Sequence, residues 1–186
     1  MSFLGQLLGV KPSTSAADTA ATPAATETVR RISEALNRMD PRKARFIACF
    51  AYLLSRVARA DLDISDEETH EMEKIIQQRG GLPEEQAVLC VQIARTQATL
   101  FGHTENFLVS REFNLEAGRK EKLALLDCLF AVSAADHDVS TVEDNEIRKI
   151  SEELKLDHQD FIRARSAYLK DLAVLKNRPR GAGGKR

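Results

Sequence analysis

Apolar residues recur along this chain at intervals of three and four, the spacing that places side chains on one face of an α-helix. No segment alternates between polar and apolar residues over a useful length, so the pattern predicts no strands. The sequence therefore predicts an all-α fold, a bundle of about seven or eight helices around one core. In the helix predicted over residues 41–60, the core-facing positions are Ile47, Phe50, Ala51, Leu54, Val57 and Ala58.

Capping and turn residues divide this pattern into successive helices. Pro41 and Pro83 predict two helix starts, because proline is favoured in the first helical turn. Ser65 and Ser140 are each followed three residues later by glutamate, which predicts a capping box at two further helix starts. The last predicted helix starts at Asp157. Its core-facing residues are Phe161, Ala164, Tyr168 and Leu172.

The chain contains an internal duplication. Segments 57–76 and 132–151, aligned 75 residues apart without a gap, share nine identical residues. Unrelated segments of this length would share about one, so the agreement indicates a repeated unit. Each copy is predicted to form a helix, an acidic loop and a second helix. The fold is therefore predicted to consist of two related halves with pseudo-two-fold symmetry. The shared residues are Val57/Val132, Ala60/Ala135, Asp61/Asp136, Asp63/Asp138, Ser65/Ser140, Glu68/Glu143, Glu71/Glu146, Lys74/Lys149 and Ile75/Ile150.

Composition divides the chain into one domain and two tails. With 186 residues, 43% of them hydrophobic, the chain is long enough to bury a core. Residues 1–25 are an N-terminal segment followed by a Ser/Thr/Ala/Pro-rich flexible linker. Residues 26–175 form the predicted helical domain, whose first helix covers residues 27–39. Residues 176–186 contain five basic residues and no acids, and are predicted to be a disordered tail.

Charge and cysteine usage narrow the class of protein. The net charge is −1, and the basic tail lacks interleaved aromatic residues, so no nucleic-acid partner is predicted. The chain has three cysteines, an odd number, and no C-x-x-C pair, which argues against a disulfide framework or a thiolate metal site. Buried thiols in a reducing compartment are therefore predicted for Cys49, Cys90 and Cys128. No apolar run approaches the ~20 residues that cross a bilayer. Without a signal-peptide pattern either, the sequence predicts a cytoplasmic protein.

The paired acidic loops carry the candidate chemistry. Each loop supplies two aspartates separated by one position and then a capped helix with a glutamate in its first turn. Such oxygen-rich groups suit hard divalent cations of the Ca²⁺ or Mg²⁺ type. The same carboxylates are also favoured at helix N-termini and in tight turns, so helix capping is the alternative interpretation. The candidate metal ligands are Asp61, Asp63, Glu68, Asp136, Asp138 and Glu143.

Other metal motifs fit less well. Counted from Asp61 or Asp136, the loops lack the glycine and the final glutamate that an EF-hand requires. The Glu67-x-x-His70 spacing matches that of carboxylate-bridged di-iron bundles, but the second copy has Asn145 where His70 stands in the first. The sequence shows no motif for nucleophilic catalysis and no phosphate-binding glycine loop. No catalytic residue and no enzymatic activity are predicted.

The acidic motifs Ala60-Asp-x-x-Ile-Ser-x-x-Glu68 and Ala135-Asp-x-x-Val-Ser-x-x-Glu143 resemble those of the tellurite-resistance protein B (TerB) family. They also resemble the related N-terminal domains of some membrane-anchored J-domain co-chaperones. The resemblance covers roughly residues 40–172. It implies an all-helical, internally pseudo-symmetric domain with an acidic, cation-binding surface and no established catalytic activity.

At the acidic motif the resemblance marks Asp61, Glu68, Asp136 and Glu143 as the matching positions. Family members usually have glycine after the motif aspartate, whereas this chain has Leu62 and His137. Because glycine reaches positive φ without steric cost, we expect its loss to disfavour a family-like loop conformation.

Three hypotheses of function follow. The first is a non-enzymatic, stress- or tellurite-resistance-associated domain that binds a divalent cation at the duplicated loops. The second is a structural adaptor that binds a protein partner through residues 1–9 or the acidic surface, its acidic loops serving only as helix caps. In residues 1–9, Phe3, Leu4, Leu7 and Leu8 lie on one side and would also allow a weak peripheral membrane contact. The third is a carboxylate-bridged metal oxidoreductase, supported only by Glu67 and His70.

Overall fold

The computed structural model describes residues 23–57, 66–100 and 106–176. Within these ranges the chain is all-α and forms nine helices, the last of which is a single turn. Their bounds are α1 Pro23–Asn37, α2 Pro41–Val57, α3 Asp66–Gln78, α4 Glu84–Leu100, α5 Asn106–Glu116, α6 Arg119–Ser133, α7 Thr141–Glu153, α8 His158–Ser166 and α9 Ala173–Lys176. The predicted helical bundle is confirmed.

Two helices differ from the predicted bounds. The first begins at Pro23 rather than near residue 27, which places a proline at the first helical position. The last predicted helix, from Asp157 to Leu172, ends at Ser166. Leu172 is fully buried as predicted, but it lies in an isolated parallel bridge with Val139 and not on a helix. The helix does not continue to Leu172, because the carbonyl of residue 171 and the N–H of residue 173 bond to the backbone of Val139 instead.

Helix α2 lies at the centre of the described fold. Every residue from Ile47 to Val57 is buried, so the helix is covered on all sides and not only along the predicted stripe. It contacts α1, α4, α5, α6 and α7. A helix surrounded in this way belongs to the interior of a bundle. The first helix of the first repeat is therefore the core on which the second repeat packs.

Aromatic side chains fill the space around this helix. The rings of Phe46 and Phe113 stack with their centroids 5.2 Å apart, and Phe50 meets Phe113 edge-on at 6.4 Å. Gly80, at the end of α3, lies so close that an added Cβ would be 3.0 Å from Cζ of Phe50 and 2.6 Å from the carbonyl oxygen of Ile76. Gly80 therefore lets the chain approach the aromatic core, while Gly81 takes the positive φ, +68°, that follows the end of the helix.

A buried charge joins the two repeats. Arg56, 4% exposed, extends from α2 toward α7. Its Nε donates to Oε1 of Glu146 at 2.9 Å, and its Nη1 donates to Oε2 of Glu153 at 2.6 Å. Its Nη2 donates to the other oxygen of Glu153 at 3.1 Å. Ser110 of α5 donates to Glu153 as well. Three helices thus meet at one guanidinium.

The ionisation of Glu153 reflects this environment. Burial disfavours its charged form, but the hydrogen bonds from Arg56 and Ser110 outweigh burial and hold the pKa of Glu153 below its ordinary value of 4.5. A carboxylate whose pKa is lowered by folding stabilises the folded state above its ordinary pKa. The stabilisation is lost as the pH falls through the folded pKa.

We predict that Arg56→Met destabilises the protein by about 3 kcal/mol, because it leaves two glutamates without their cation in a partly buried site. Urea unfolding at pH 7 measures the change. Arg31→Met is the matched control, since the Arg31–Glu27 pair is as short, at 3.0 Å, but the Arg31 side chain is 75% exposed. The control should leave the unfolding midpoint almost unchanged, because exposed pairs contribute little.

The same variant should change the acid limb of the stability curve. Between pH 7 and about pH 4.5 the wild-type contribution of Glu153 is intact, and below that it declines. We expect the free energy of unfolding of Arg56→Met to fall less steeply below about pH 4.5 than that of the wild type. Parallel curves would show that the pKa of Glu153 does not depend on Arg56.

Candidate functional site

The first acidic loop lies largely beyond what the structure describes. Asp61 and Asp63 are outside the described residues. Glu68 belongs to the first turn of α3, but its side chain is also outside the described part. Their predicted role as metal ligands therefore stays a prediction.

The second acidic loop connects α6 to α7 and ends in the predicted capping box. Ser140 Oγ accepts a hydrogen bond from the backbone N–H of Glu143 at 3.2 Å. Glu143 Oε2 in turn accepts from the backbone N–H of Ser140 at 2.9 Å. Both groups of the box are thus formed, as the sequence predicts. Glu143 already uses one carboxylate oxygen to start the helix.

Asp136 also has a structural task. Its Oδ1 accepts a hydrogen bond from the backbone N–H of Asp138 at 2.9 Å, which closes a turn of the Asx type. His137, between them, has φ +63°. The missing glycine does not prevent positive φ in this loop, because the chain adopts that conformation with histidine at a steric cost that the surrounding hydrogen bonds offset. The Asp136 bond and the backbone bond from His137 N–H to the Ala134 carbonyl, 2.9 Å, stabilise the turn.

The loop rests on the segment that follows α8. The backbone N–H of Val139 donates to the Asp171 carbonyl at 2.7 Å, and the Val139 carbonyl accepts from the N–H of Ala173 at 2.9 Å. His137 Nδ1 lies 3.6 Å from Oδ1 of Asp171. Sequence reasoning missed this contact, since it placed residues 171–173 at the end of a continuous helix. The signal it did detect was the apolar Leu172.

The described residues fit a strongly bound metal poorly. Asp136, His137 and Asp138 are exposed, and Glu143 is half-buried. Across the described ranges, no three His, Cys, Asp or Glu side chains form a group that could hold a metal ion. The second loop on its own therefore offers two exposed carboxylates. Two carboxylates suit a cation that keeps most of its water ligands, as Mg²⁺ does in proteins.

The other candidate residues have ordinary surroundings. His70 is exposed, and its Nδ1 lies 3.2 Å from Glu73 of the same helix. Its counterpart in the repeat, Asn145, is 3.4 Å from the Arg148 guanidinium. All three cysteines are free and buried, as predicted. Burial raises the pKa of the Cys128 thiol to about 12, so this thiol is not a nucleophile at neutral pH.

A bidentate ion pair next to the second loop escaped the sequence analysis. Arg165 of α8 binds Asp144, in the first turn of α7, through Nε at 2.8 Å and Nη2 at 2.7 Å. Both side chains are largely buried. The pair fixes α8 against the start of α7. No periodicity or motif relates two residues 21 positions apart, so only the packing of the helices reveals it.

We predict that His137→Gly stabilises the protein by about 0.5–1 kcal/mol, because glycine occupies the left-handed region without the steric cost that histidine carries. Thermal or urea unfolding measures the gain. Lys155, the other described non-glycine residue with positive φ, at +57°, is a matched case. Lys155→Gly should stabilise to a similar extent.

His158→Gly is the opposite control, since His158 begins α8 and has helical geometry. Glycine there should destabilise the protein, because it increases the conformational freedom of the unfolded chain without relieving strain. If all three glycine variants lose stability equally, positive φ at residue 137 carries no strain.

Among the described residues, no helix combines the length and the apolar character needed to cross a membrane. Searches of curated proteins and of solved structures found no significant match. The family model described as "Tellurite resistance protein TerB" matches residues 46–166, which include both acidic loops and helices α3 to α8. With nearly two thirds of its length matched, and with the all-helical duplicated fold that the resemblance implied, the chain belongs to the TerB tellurite resistance family.

Proposed function

We propose that this chain is a non-enzymatic, cytoplasmic member of its family with a tellurite- or stress-response role, and that it acts by binding a hydrated divalent cation at its acidic loops. The observation that carries the proposal is the second loop, where Asp136 and Asp138 are both exposed on a turn shaped by the protein's own hydrogen bonds. Such a turn presents carboxylates without needing a metal to fold.

The chemistry of the loop favours weak binding. Asp136 accepts the turn bond through Oδ1. We propose that its other oxygen and the exposed carboxylate of Asp138 bind the cation. Glu143 has one further oxygen besides the one that caps α7. A site with so few protein ligands leaves the cation most of its water shell, which favours a Mg²⁺-type ion over a stripped Ca²⁺ cage.

The duplication extends the proposal to the first half. Asp61, Asp63 and Glu68 occupy the same positions in the first repeat as Asp136, Asp138 and Glu143 in the second. We propose that they form an equivalent site. Each half would then bind one cation, or both halves one shared cation.

Calorimetric titration with Mg²⁺, Ca²⁺, Mn²⁺ and Zn²⁺ tests the cation hypothesis. We predict that Asp136→Asn weakens binding at the second loop by at least about tenfold, because it removes one of two carboxylates that face solvent. The amide keeps the Oδ1 acceptor, so the turn and the stability should be preserved. Asp61→Asn tests the first loop in the same way.

Two controls separate charge from shape. Glu152→Gln removes one acidic charge from an exposed position near the other end of α7 and should leave affinity unchanged. Asp136→Ala removes the turn acceptor as well and should cost about 0.5–1.5 kcal/mol of stability. Absence of heat at millimolar cation, with wild type and both asparagine variants alike, would exclude a cation site.

A structural adaptor is the second candidate, favoured by the hydrogen bonds of the second loop. The turn acceptor and the capping box give Asp136 and Glu143 complete structural roles without any cation. In this case the protein partner binds residues 1–9 or the acidic surface.

We predict for the adaptor that deletion of residues 1–22, which ends before α1 begins at Pro23, abolishes co-purification of a partner and leaves the melting temperature unchanged. The unchanged melting temperature is expected because the described core begins in α1, at Ile32 and Leu36. Substituting Phe3, Leu4, Leu7 and Leu8 by serine in the full chain is the matched variant. Full retention of a partner in both variants would argue against this segment.

A further inference from the structure

Ten residues that follow α8, residues 167–176, lie against the second acidic loop; we call them the C-terminal strap. The family match ends at residue 166, so the strap lies outside the matched region. It nevertheless contains Leu172, which has no exposed surface. A segment with a fully buried residue is part of the folded body and not a loose end.

The strap holds the loop at Val139. Both backbone polar groups of Val139 bond to it, the N–H to the Asp171 carbonyl and the carbonyl to the Ala173 N–H. Val139 and Leu172 pair as a parallel bridge, and both side chains are buried. Val139 follows directly after Asp138. The strap therefore binds the loop at Val139, the residue next to the exposed Asp138.

The strap is itself anchored to α6. The Tyr168 ring stacks on Phe130 with centroids 5.7 Å apart and planes 14° apart. The Tyr168 hydroxyl donates to Oδ1 of Asp127 at 3.0 Å. Within the strap, the N–H of Asp171 donates to the Tyr168 carbonyl at 3.0 Å. The strap thus connects Val139 to α6, a helix of the core.

The loop needs such support. His137 occupies a left-handed conformation that costs a non-glycine residue free energy, and conformations of this kind persist where surrounding contacts hold them. The local bonds of Asp136 and His137 hold one side of this turn. The strap holds the other side through the two bonds at Val139.

We propose that the C-terminal strap is a built-in clamp that determines the conformation of the second acidic loop and pre-organises Asp136 and Asp138 for a ligand. The conformational part stands on the backbone bonds at Val139 alone. The consequence for cation affinity rests on the proposed function. A pre-organised loop binds more tightly because less motion is lost on binding.

Ala173→Pro tests the clamp with little other disturbance. Ala173 is the first residue of α9, where proline is well tolerated. The preceding Leu172 is in a β-bridge, the extended conformation that a residue before proline prefers. The substitution therefore removes the N–H that bonds Val139 and leaves the side-chain packing of Leu172 in place. Ala173→Ser keeps the N–H and is the matched control.

Amide hydrogen exchange followed by NMR is the measurement. We expect the Val139 amide to exchange roughly tenfold faster in Ala173→Pro than in wild type or Ala173→Ser, because the loop opens without global unfolding. Amides of the central helix, such as that of Leu53, should keep their wild-type rates. Unchanged exchange at Val139 overturns the proposal. Equal acceleration at Val139 and Leu53 also overturns it, since the strap would then belong to the core and not act as a separate clamp.

Titration of the same variants with Mg²⁺ tests the consequence for binding. We expect Ala173→Pro to bind Mg²⁺ about threefold more weakly, or worse, with Ala173→Ser unchanged. Equal affinity in all three proteins, with faster exchange at Val139, overturns pre-organisation of the ligands. If none of them binds Mg²⁺, the proposed cation function fails, while the exchange result still decides whether the clamp exists.

Discussion

Arg56 carries a positive charge in between α2, α5 and α7, where its own side chain is almost fully buried and the charge is stable only beside its counter-charges. Its two counter-ions, Glu146 and Glu153, lie one above the other on α7, and Ser110 of α5 completes the group. This requirement fixes α7 relative to α2 in both distance and rotation, which packing of aliphatic side chains alone would specify less strictly. The start of α7 carries the second acidic loop, so the position of the loop depends on the same group.

The cluster also breaks the internal symmetry of the chain. The position of Arg56 in the second repeat is occupied by Ala131, and that of Glu153 is occupied in the first repeat by Gln78. Each half therefore keeps the shared sequence pattern, but the Arg56 cluster has no counterpart at the equivalent positions. Duplicated halves that must pack on each other face different neighbours, and the residues at their contact have diverged accordingly.

The second acidic loop shows how one residue serves folding and binding together. Asp136 closes the turn with one oxygen and exposes the rest of its carboxylate, while Glu143 starts α7. Helix capping and cation binding are thus compatible interpretations of the same carboxylates. The distinction between them lies in whether the remaining oxygens bind an ion, and the asparagine and alanine variants of Asp136 separate the two.

Interactions between residues close in sequence made several features of the fold predictable. The capping box at Ser140 and Glu143 depends on residues three positions apart, and the repeat itself shows in nine identities. Prediction failed where residues distant in sequence meet. Leu172 is buried, as its apolar character indicates, yet it reaches the interior through a bridge to Val139 that no helical periodicity contains. His137 adopts positive φ because its neighbours hold it there, against its own preference.

The sequence by itself determined the all-helical class, the duplication, the family and the loop residues that cap α7, because these follow from periodicity and from contacts within one helical turn. Only the tertiary structure decided that α2 is buried on every side, that Arg56 joins the repeats and that the C-terminal strap grips the second loop. Those features depend on the partners that chain folding brings together over tens of residues. The free energy of burying a charge, or of satisfying a backbone bond, is determined by those partners and not by neighbours in sequence.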